Sequence, residues 1–209
     1  MKIYFALTAF AFCLTVNAQQ TVTDITFYER VIIEAGVKVP VGNLADIIGP
    51  SPELGLWYRT RMPNNDMIDA GFSLYMPTNS REFDYKDGTE VYKVKPAGVS
   101  GMVGVRIDKL YILRGVHCKK SLEWSTTGGY AFFMYNDKQF ESGNGRTGNT
   151  AHTHAKALST FQVGQGLKYT INNMGIQLHY NYTPYGLFSD HVPGNFGSHS
   201  FTLGLFYKQ

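Results

Sequence analysis

Cysteine occurs only twice, at positions 13 and 118, so no framework of disulfides holds this chain together. Charged side chains are also sparse, at 17% of residues, and they nearly cancel to a net charge of +3. That net charge is too small to argue for an electrostatically driven partner, and no nucleic-acid partner is expected. Beyond the N-terminus no apolar run is long enough to cross a bilayer as a helix, which takes about 20 residues. No internal repeat, low-complexity tract or Pro/Ser-rich linker divides the sequence, and one domain accommodates its 209 residues.

The one long apolar run is N-terminal. MKIYFALTAFAFCLTVNAQQ sets Lys2 before the stretch Ile3 to Val16, broken only by Thr8 and Thr15, and leads into Val16-Asn17-Ala18. This is the order of a secretory signal peptide, too short for a spanning helix. Residues 1–18 are therefore expected to be the signal peptide, cleaved after Ala18, and 19–209 the exported domain. Cys13 does not read as a lipidation site, because Phe12 stands where attachment requires a small residue. Cys118 is then a lone thiol.

Alternation is what the sequence has in abundance. In GIQLHYNY (175–182), Ile176, Leu178, Tyr180 and Tyr182 share one face of a strand, and Gln177, His179 and Asn181 share the other. Similar stretches fall near 30–39, 54–62, 68–75, 99–108, 122–134, 160–169 and 200–207. That makes eight strands, most with the 9–11 residues a tilted strand needs to cross a bilayer. The connections alternate in length. Stretches 40–52, 76–98, 135–157 and 184–198 are long, whereas Pro63-Asn64-Asn65 and Asn172-Asn173-Met174 are tight and rich in turn residues; 108–121 is intermediate. Long loops at one end and short turns at the other organise small outer-membrane barrels.

Alternation alone does not say which face looks inward, since a soluble sandwich or lipocalin-like barrel buries the apolar one. Two features favour the reverse. The polar face carries Arg30, Glu34, Arg59, Arg61, Asp69, Arg106, Asp108, Glu123 and Lys168 beside Gly71, Gly104, Gly129, Gly164, Gly166 and Gly204. Glycines gain nothing on a solvated surface but fit a crowded lumen. The apolar face carries Tyr180 and Tyr182 toward the loop end and Tyr169 and Tyr207 toward the turn end, as two interfacial girdles would. The expected fold is an all-β, eight-stranded antiparallel up-and-down transmembrane β-barrel.

Three stretches carry a resemblance: VPVGNLADIIGPSPELGLWYR (39–59), LEWSTTGGYAFFMY (122–135) and SFTLGLFYKQ (200–209). From about Phe27 to Gln209 the chain resembles the small eight-stranded outer-membrane barrels of the OmpA/OmpX type, and more narrowly those of this size in Bacteroidota. The closing stretch resembles the aromatic-ended signal read by the barrel-assembly machinery, although Lys208 and Gln209 follow its last aromatic, Tyr207. The resemblance implies a porin-like, Gram-negative outer-membrane protein. Its partners would be membrane lipid and, during insertion, the assembly machinery. It implies no reaction.

Candidate chemistry thins out on inspection. GNGRTG (143–148) matches G-x-G-x-x-G but lacks the strand–helix context and the acid that a dinucleotide site needs. His152 and His154 share a face only if their loop is extended, and two ligands without a third donor do not make a metal centre. The pair His117-Cys118 is equally thin. His199 and Ser200 are adjacent on a strand and point to opposite faces, while His179 points into the lumen, so no Ser/His/acid set forms on the lipid side. No catalytic, cofactor-binding or metal site is assigned, and no cofactor is expected.

The inward charges matter most. An eight-stranded barrel is just wide enough inside for side chains to fill it. Counting from the turns places Arg30, Arg59, Arg61, Asp69, Arg106, Asp108, Glu123 and Lys168 in the turn-end half, with Glu34 near mid-height. A salt-bridge plug is the reading that narrowness favours; a gated ion path or a carboxylate pair for acid–base work are the alternatives. In the first long loop Asn43 is placed to cap a short helix whose Leu44, Ile47 and Ile48 form an apolar edge. That edge is either a lid over the barrel's own mouth or a contact for an envelope protein partner. The expected function is non-enzymatic, in surface interaction or as an accessory or structural subunit of an envelope complex. A narrow gated channel for small solutes or ions, and a lipid A acyl hydrolase or transferase, are the alternatives.

Overall fold

The computed structural model describes residues 31–62, 66–113, 120–137, 154–194 and 196–209. The expected signal segment, Arg30, the Pro63-Asn64-Asn65 turn, His117, Cys118, the GNGRTG stretch and His152 lie outside the described residues, and of His154 only the backbone is described. Ten strands form: β1 (Val31–Val41), β2 (Ser51–Arg61), β3 (Met67–Tyr75), β4 (Phe83–Asp87), β5 (Glu90–Pro96), β6 (Ser100–Leu113), β7 (Lys120–Asp137), β8 (His154–Ile171), β9 (Met174–Tyr182) and β10 (His199–Lys208). Eight of them pair antiparallel in the order β1-β2-β3-β6-β7-β8-β9-β10. The last returns to the first, from Ile32 opposite Lys208 to Val41 opposite His199, so the sheet closes into a barrel with no free edge.

The polarity of this barrel is inverted relative to a water-soluble one. Outward residues such as Leu54, Leu203 and Leu205 are 65, 62 and 58% exposed, whereas Asp69, Asp108 and Lys168 are fully buried. Water around that outer face would forfeit the hydrophobic gain on every strand. An apolar belt around a polar interior is the arrangement of transmembrane barrels. Tyr180 and Tyr207 stand on the outward face with their rings partly exposed, as the girdle positions require.

The structure departs from the sequence reading above the belt. The stretch 76–98, expected as a loop, contains the β4–β5 hairpin, closed by Gly88 and Thr89 between Asp87 and Glu90. Gly88, with φ +61°, supplies the left-handed backbone at the first of these two loop positions. Strands β7 and β8 are 18 residues each, longer at both ends than alternation indicated, and pair from Lys120–Ile171 to Asp137–His154. At about 3.3 Å per residue such a hairpin runs ~60 Å, so even when tilted it stands well clear of a ~30 Å hydrocarbon layer. β6 continues through Leu110 to Leu113, the stretch for which the alternation gave no strand. At the other end, Asn172 (φ +56°) and Asn173 join β8 to β9 in the tight turn expected there.

A row of glycines, Gly71, Gly104 and Gly129, crosses β3, β6 and β7 in register. A Cβ on Gly104 would lie 2.6 Å from the Gly129 Cα and 2.9 Å from the Met102 methyl group. The row therefore makes room for the neighbouring backbone and for Met102. Gly104→Val is expected to abolish the compact, faster-migrating form of the unboiled protein on a gel, whereas Val105→Leu on the outward face preserves it.

Candidate functional site

The lumen is the candidate site, and strand period puts its side chains there. Among the described residues ten buried charged groups face inward: the acids Glu34, Glu53, Asp69, Asp108 and Glu123, and the cations Lys38, Arg59, Arg106, Lys168 and Lys208. The charges balance at five of each sign.

Eight of the ten form one connected cluster. Arg59 on β2 grips the carboxylate of its cross-strand neighbour Asp69 with Nε at 2.8 Å and Nη2 at 3.0 Å. The same Nη2 reaches Asp108 Oδ2 at 2.5 Å and, across the lumen, Glu123 Oε2 at 3.1 Å. Lys168 enters from β8, with Nζ 2.8 Å from Asp108 Oδ2, 3.6 Å from Asp69 Oδ2 and 3.8 Å from Glu34 Oε1. Arg106 on β6 donates to both oxygens of Glu34 on β1, at 2.6 and 3.2 Å. Lys208 on β10 pairs with Glu123, and Ser125 donates to Asp108. Trp57 completes the set: its indole N–H donates to Glu34 Oε2 at 3.0 Å, and the Arg106 guanidinium lies 3.9 Å over its ring. Seven of the eight barrel strands supply a charge, so the cluster ties opposite walls together.

The sequence-derived set maps unevenly onto this cluster. Arg59, Asp69, Arg106, Asp108, Glu123 and Lys168 are brought together, and Glu34, placed apart at mid-height from sequence, touches Arg106 directly. Arg61 shares the parity of Arg59 but is exposed at the turn end, outside the cluster. Lys208 was read only as a departure from the aromatic-ended signal, although its parity with Thr202 and Gly204 was the available clue. Lys38 and Glu53 were missed as well. Lys38 lies 4.6 Å over the Tyr75 ring, and Glu53 accepts from Thr202 at 2.7 Å.

Nearer the loops the inward faces change character. Along β7 the inward series runs Glu123, Ser125, Thr127, Gly129 and Ala131, then Phe133 and Tyr135. Those rings meet Phe83 and Tyr85 of the β4–β5 hairpin, together with Phe196 and Tyr185, at centroid separations of 4.9–6.3 Å. Tyr185 opens α1 (Tyr185–Phe188), the short helix between β9 and β10. Burial, with the Tyr75 hydroxyl beside it, raises the Tyr185 phenol well above its ordinary range.

Leu44, Ile47 and Ile48 are buried in the same apolar cluster, so their edge faces the chain's own roof. The local geometry differs from expectation. A 3₁₀ turn, Gly42–Leu44, begins after Val41 with no side-chain cap, and Asn43 is exposed within it. Backbone bonds knit the loops to one another, with Arg81 N–H donating to Ile47 O and Lys86 N–H to His191 O, each at 2.8 Å. The lumen is thus closed below by ion pairs and above by aromatic rings.

Strand parity separates the candidate catalytic side chains. Ser200 is buried inside, whereas His199 is outside, its Nδ1 2.6 Å from the Tyr180 hydroxyl. His179 lies in the lumen over Gly166, whose missing side chain leaves room for the imidazole. The three side chains do not converge.

Removing one partner from the cluster strands the others in a medium of low polarity. Arg59→Ala and Asp69→Ala are each expected to cost about 3–5 kcal/mol. The double variant should lose less than the sum by about 1–3 kcal/mol, measured by urea unfolding in detergent micelles.

No family model and no curated protein matches this chain. Among solved structures it is similar to Ail, the attachment invasion locus protein of Yersinia pestis, crystallised with the heparin analogue sucrose octasulfate. The two share 13% identity over 87% of this chain and 97% of that one, with a TM-score of 0.41. The closed strand pairing and the inverted polarity define the barrel independently of this likeness.

Proposed function

We propose that the chain is an integral outer-membrane barrel without enzymatic activity, closed to solute flow, and active through the loop assembly at its long-loop end. Its role is surface interaction, or service as an accessory or structural subunit of an envelope complex. One observation carries this reading: an apolar belt encloses a lumen blocked twice, by buried ion pairs and by packed aromatic rings. A resting pore leaves a continuous wet path, and a surface enzyme brings its acid, base and nucleophile to one exposed place. Here the polar groups are spent on one another inside, and the built, interlocked surface lies at the loops.

The outward face of β10 supports insertion by the barrel-assembly machinery. Phe201, Leu203, Leu205 and Tyr207 all face outward, and Lys208, which follows them, turns in to Glu123. The departure from an aromatic-ended signal is therefore a lumen residue appended to an intact outward series.

The protein should fractionate with outer membranes, shift its gel mobility on boiling, and produce no conductance steps in planar bilayers. Recovery in the soluble periplasm would remove the membrane reading. Stable conductance would replace closure with a channel. A change in lipid A mass that depends on Ser200 or His179 would restore the enzyme reading.

A further inference from the structure

Four buried side-chain atoms lack a hydrogen-bond partner among the described residues: Arg106 Nε, Thr127 Oγ1, Gln177 Oε1 and His179 Nε2. All four residues line a single cavity of about 20 Å³ on the loop side of the Glu34–Arg106 pair. Folded interiors leave few such atoms, and their convergence on one void points to an occupant. The donor set selects it. Arg106 Nε only donates, Gln177 Oε1 only accepts, and Thr127 Oγ1 does either. A cation leaves the guanidinium unsatisfied, and an anion repels the amide oxygen. Among the described residues the buried charges balance at five and five, so no excess charge calls for a counter-ion. Water donates and accepts, and the volume admits about one or two molecules.

We infer that the lumen contains an internal hydration site, in which bound water bridges Arg106, Thr127, Gln177 and His179 between the ionic floor and the aromatic roof. Two measurements decide it. In protein carrying labelled methionine methyls, the Met102 methyl, which also borders the cavity, should show direct magnetisation transfer from long-lived water. Thr127→Val, nearly isosteric, should lower the urea midpoint, because it takes a partner from that water. In a dry cavity the same change removes an orphaned hydroxyl and raises the midpoint. A raised midpoint, or no water transfer to Met102 in the unsubstituted protein, overturns the inference.

A separate observation concerns α1. Tyr185 is buried in the roof, yet Leu187 and Phe188 are each 62% exposed. The Phe188 ring meets Phe161, on the outward face of β8, edge-on at 5.0 Å, so the apolar belt continues onto the helix. Phe161 lies ten residues above the β8–β9 turn. That is about 33 Å along a strand tilted by ~40°, hence near the upper edge of a ~25 Å apolar band. We propose, on the strength of the membrane reading above, that Leu187 and Phe188 enter the outer leaflet and tether the roof to the bilayer.

Tryptophan quenching by brominated lipid separates this proposal from the reading it rests on. Trp57 is buried in the lumen and supplies an unquenched background, whereas Trp124 faces outward. In vesicles the unsubstituted protein should be quenched through Trp124. The Trp124→Phe, Phe188→Trp variant should be quenched more strongly by bromines near the headgroup than by bromines near the chain ends. Quenching of Trp124 without quenching at position 188 overturns the tether and leaves the membrane reading standing. Quenching at neither position removes both.

Discussion

Arg59 is held by three carboxylates from three different strands, and the rest of the molecule is arranged around that clasp. A barrel whose apolar side chains face outward keeps little hydrophobic core between its walls at the depth of the ion pairs. Its interior is stabilised by how completely its polar groups satisfy one another. Desolvating a charge is costly, and the attraction within a pair repays the cost only when the geometry is tight and every remaining lone pair and proton is used. The eight-stranded radius meets that condition, because side chains from opposite walls meet without an intervening channel. Glu34 to Arg106, Lys168 to Asp108 and Arg59 to Glu123 are all contacts between strands distant in sequence. Removing any of these groups therefore disturbs several walls at once.

The two ends of the lumen are closed by different physics. At the turn end the closure is electrostatic and built from long side chains of Arg, Lys and Glu. At the loop end it is hydrophobic, made by rings on β7, the β4–β5 hairpin and the α1 loop, where the chain has left the belt and can pack as a soluble domain does. The switch falls on β7 between Ala131 and Phe133, and the same inward parity serves both halves. Strand extension makes this possible. By running on past the belt, β7 gives the β4–β5 hairpin an edge to join, with Lys95 opposite Asn136 and Pro96 opposite Tyr135. The loop end thus becomes a packed layer capable of presenting a defined surface.

Much of the barrel was legible from residue order because a strand's period of two is a local property of the backbone. Trp57, Arg59 and Asp69 fall on one face whatever the rest of the chain does, and the short separation between β2 and β3 sets Arg59 opposite Asp69. The roof was less legible. Leu44, Ile47 and Ile48 advertise an apolar edge, but whether that edge is covered by self or by a partner depends on Phe83, Tyr185 and Phe196, brought in from far along the sequence. The β4–β5 hairpin had a local signal in Asp87-Gly88. That hairpin pairs with the barrel through only two residues of β5, too short a seam to stand out as alternation.

By itself, then, the sequence determined the number of barrel strands, the two faces of each, and which connections are short or long. All of these follow from alternation and turn chemistry within a few residues. Tertiary structure alone decided the depth at which inward groups meet, because depth depends on the stagger accumulated around the closed sheet. That stagger brings Glu34 to Arg106 across the lumen, lets Lys208 reach Glu123, and leaves Arg61 exposed at the turn end. Closure, not pattern, turns eight of the ten buried charges among the described residues into a seal.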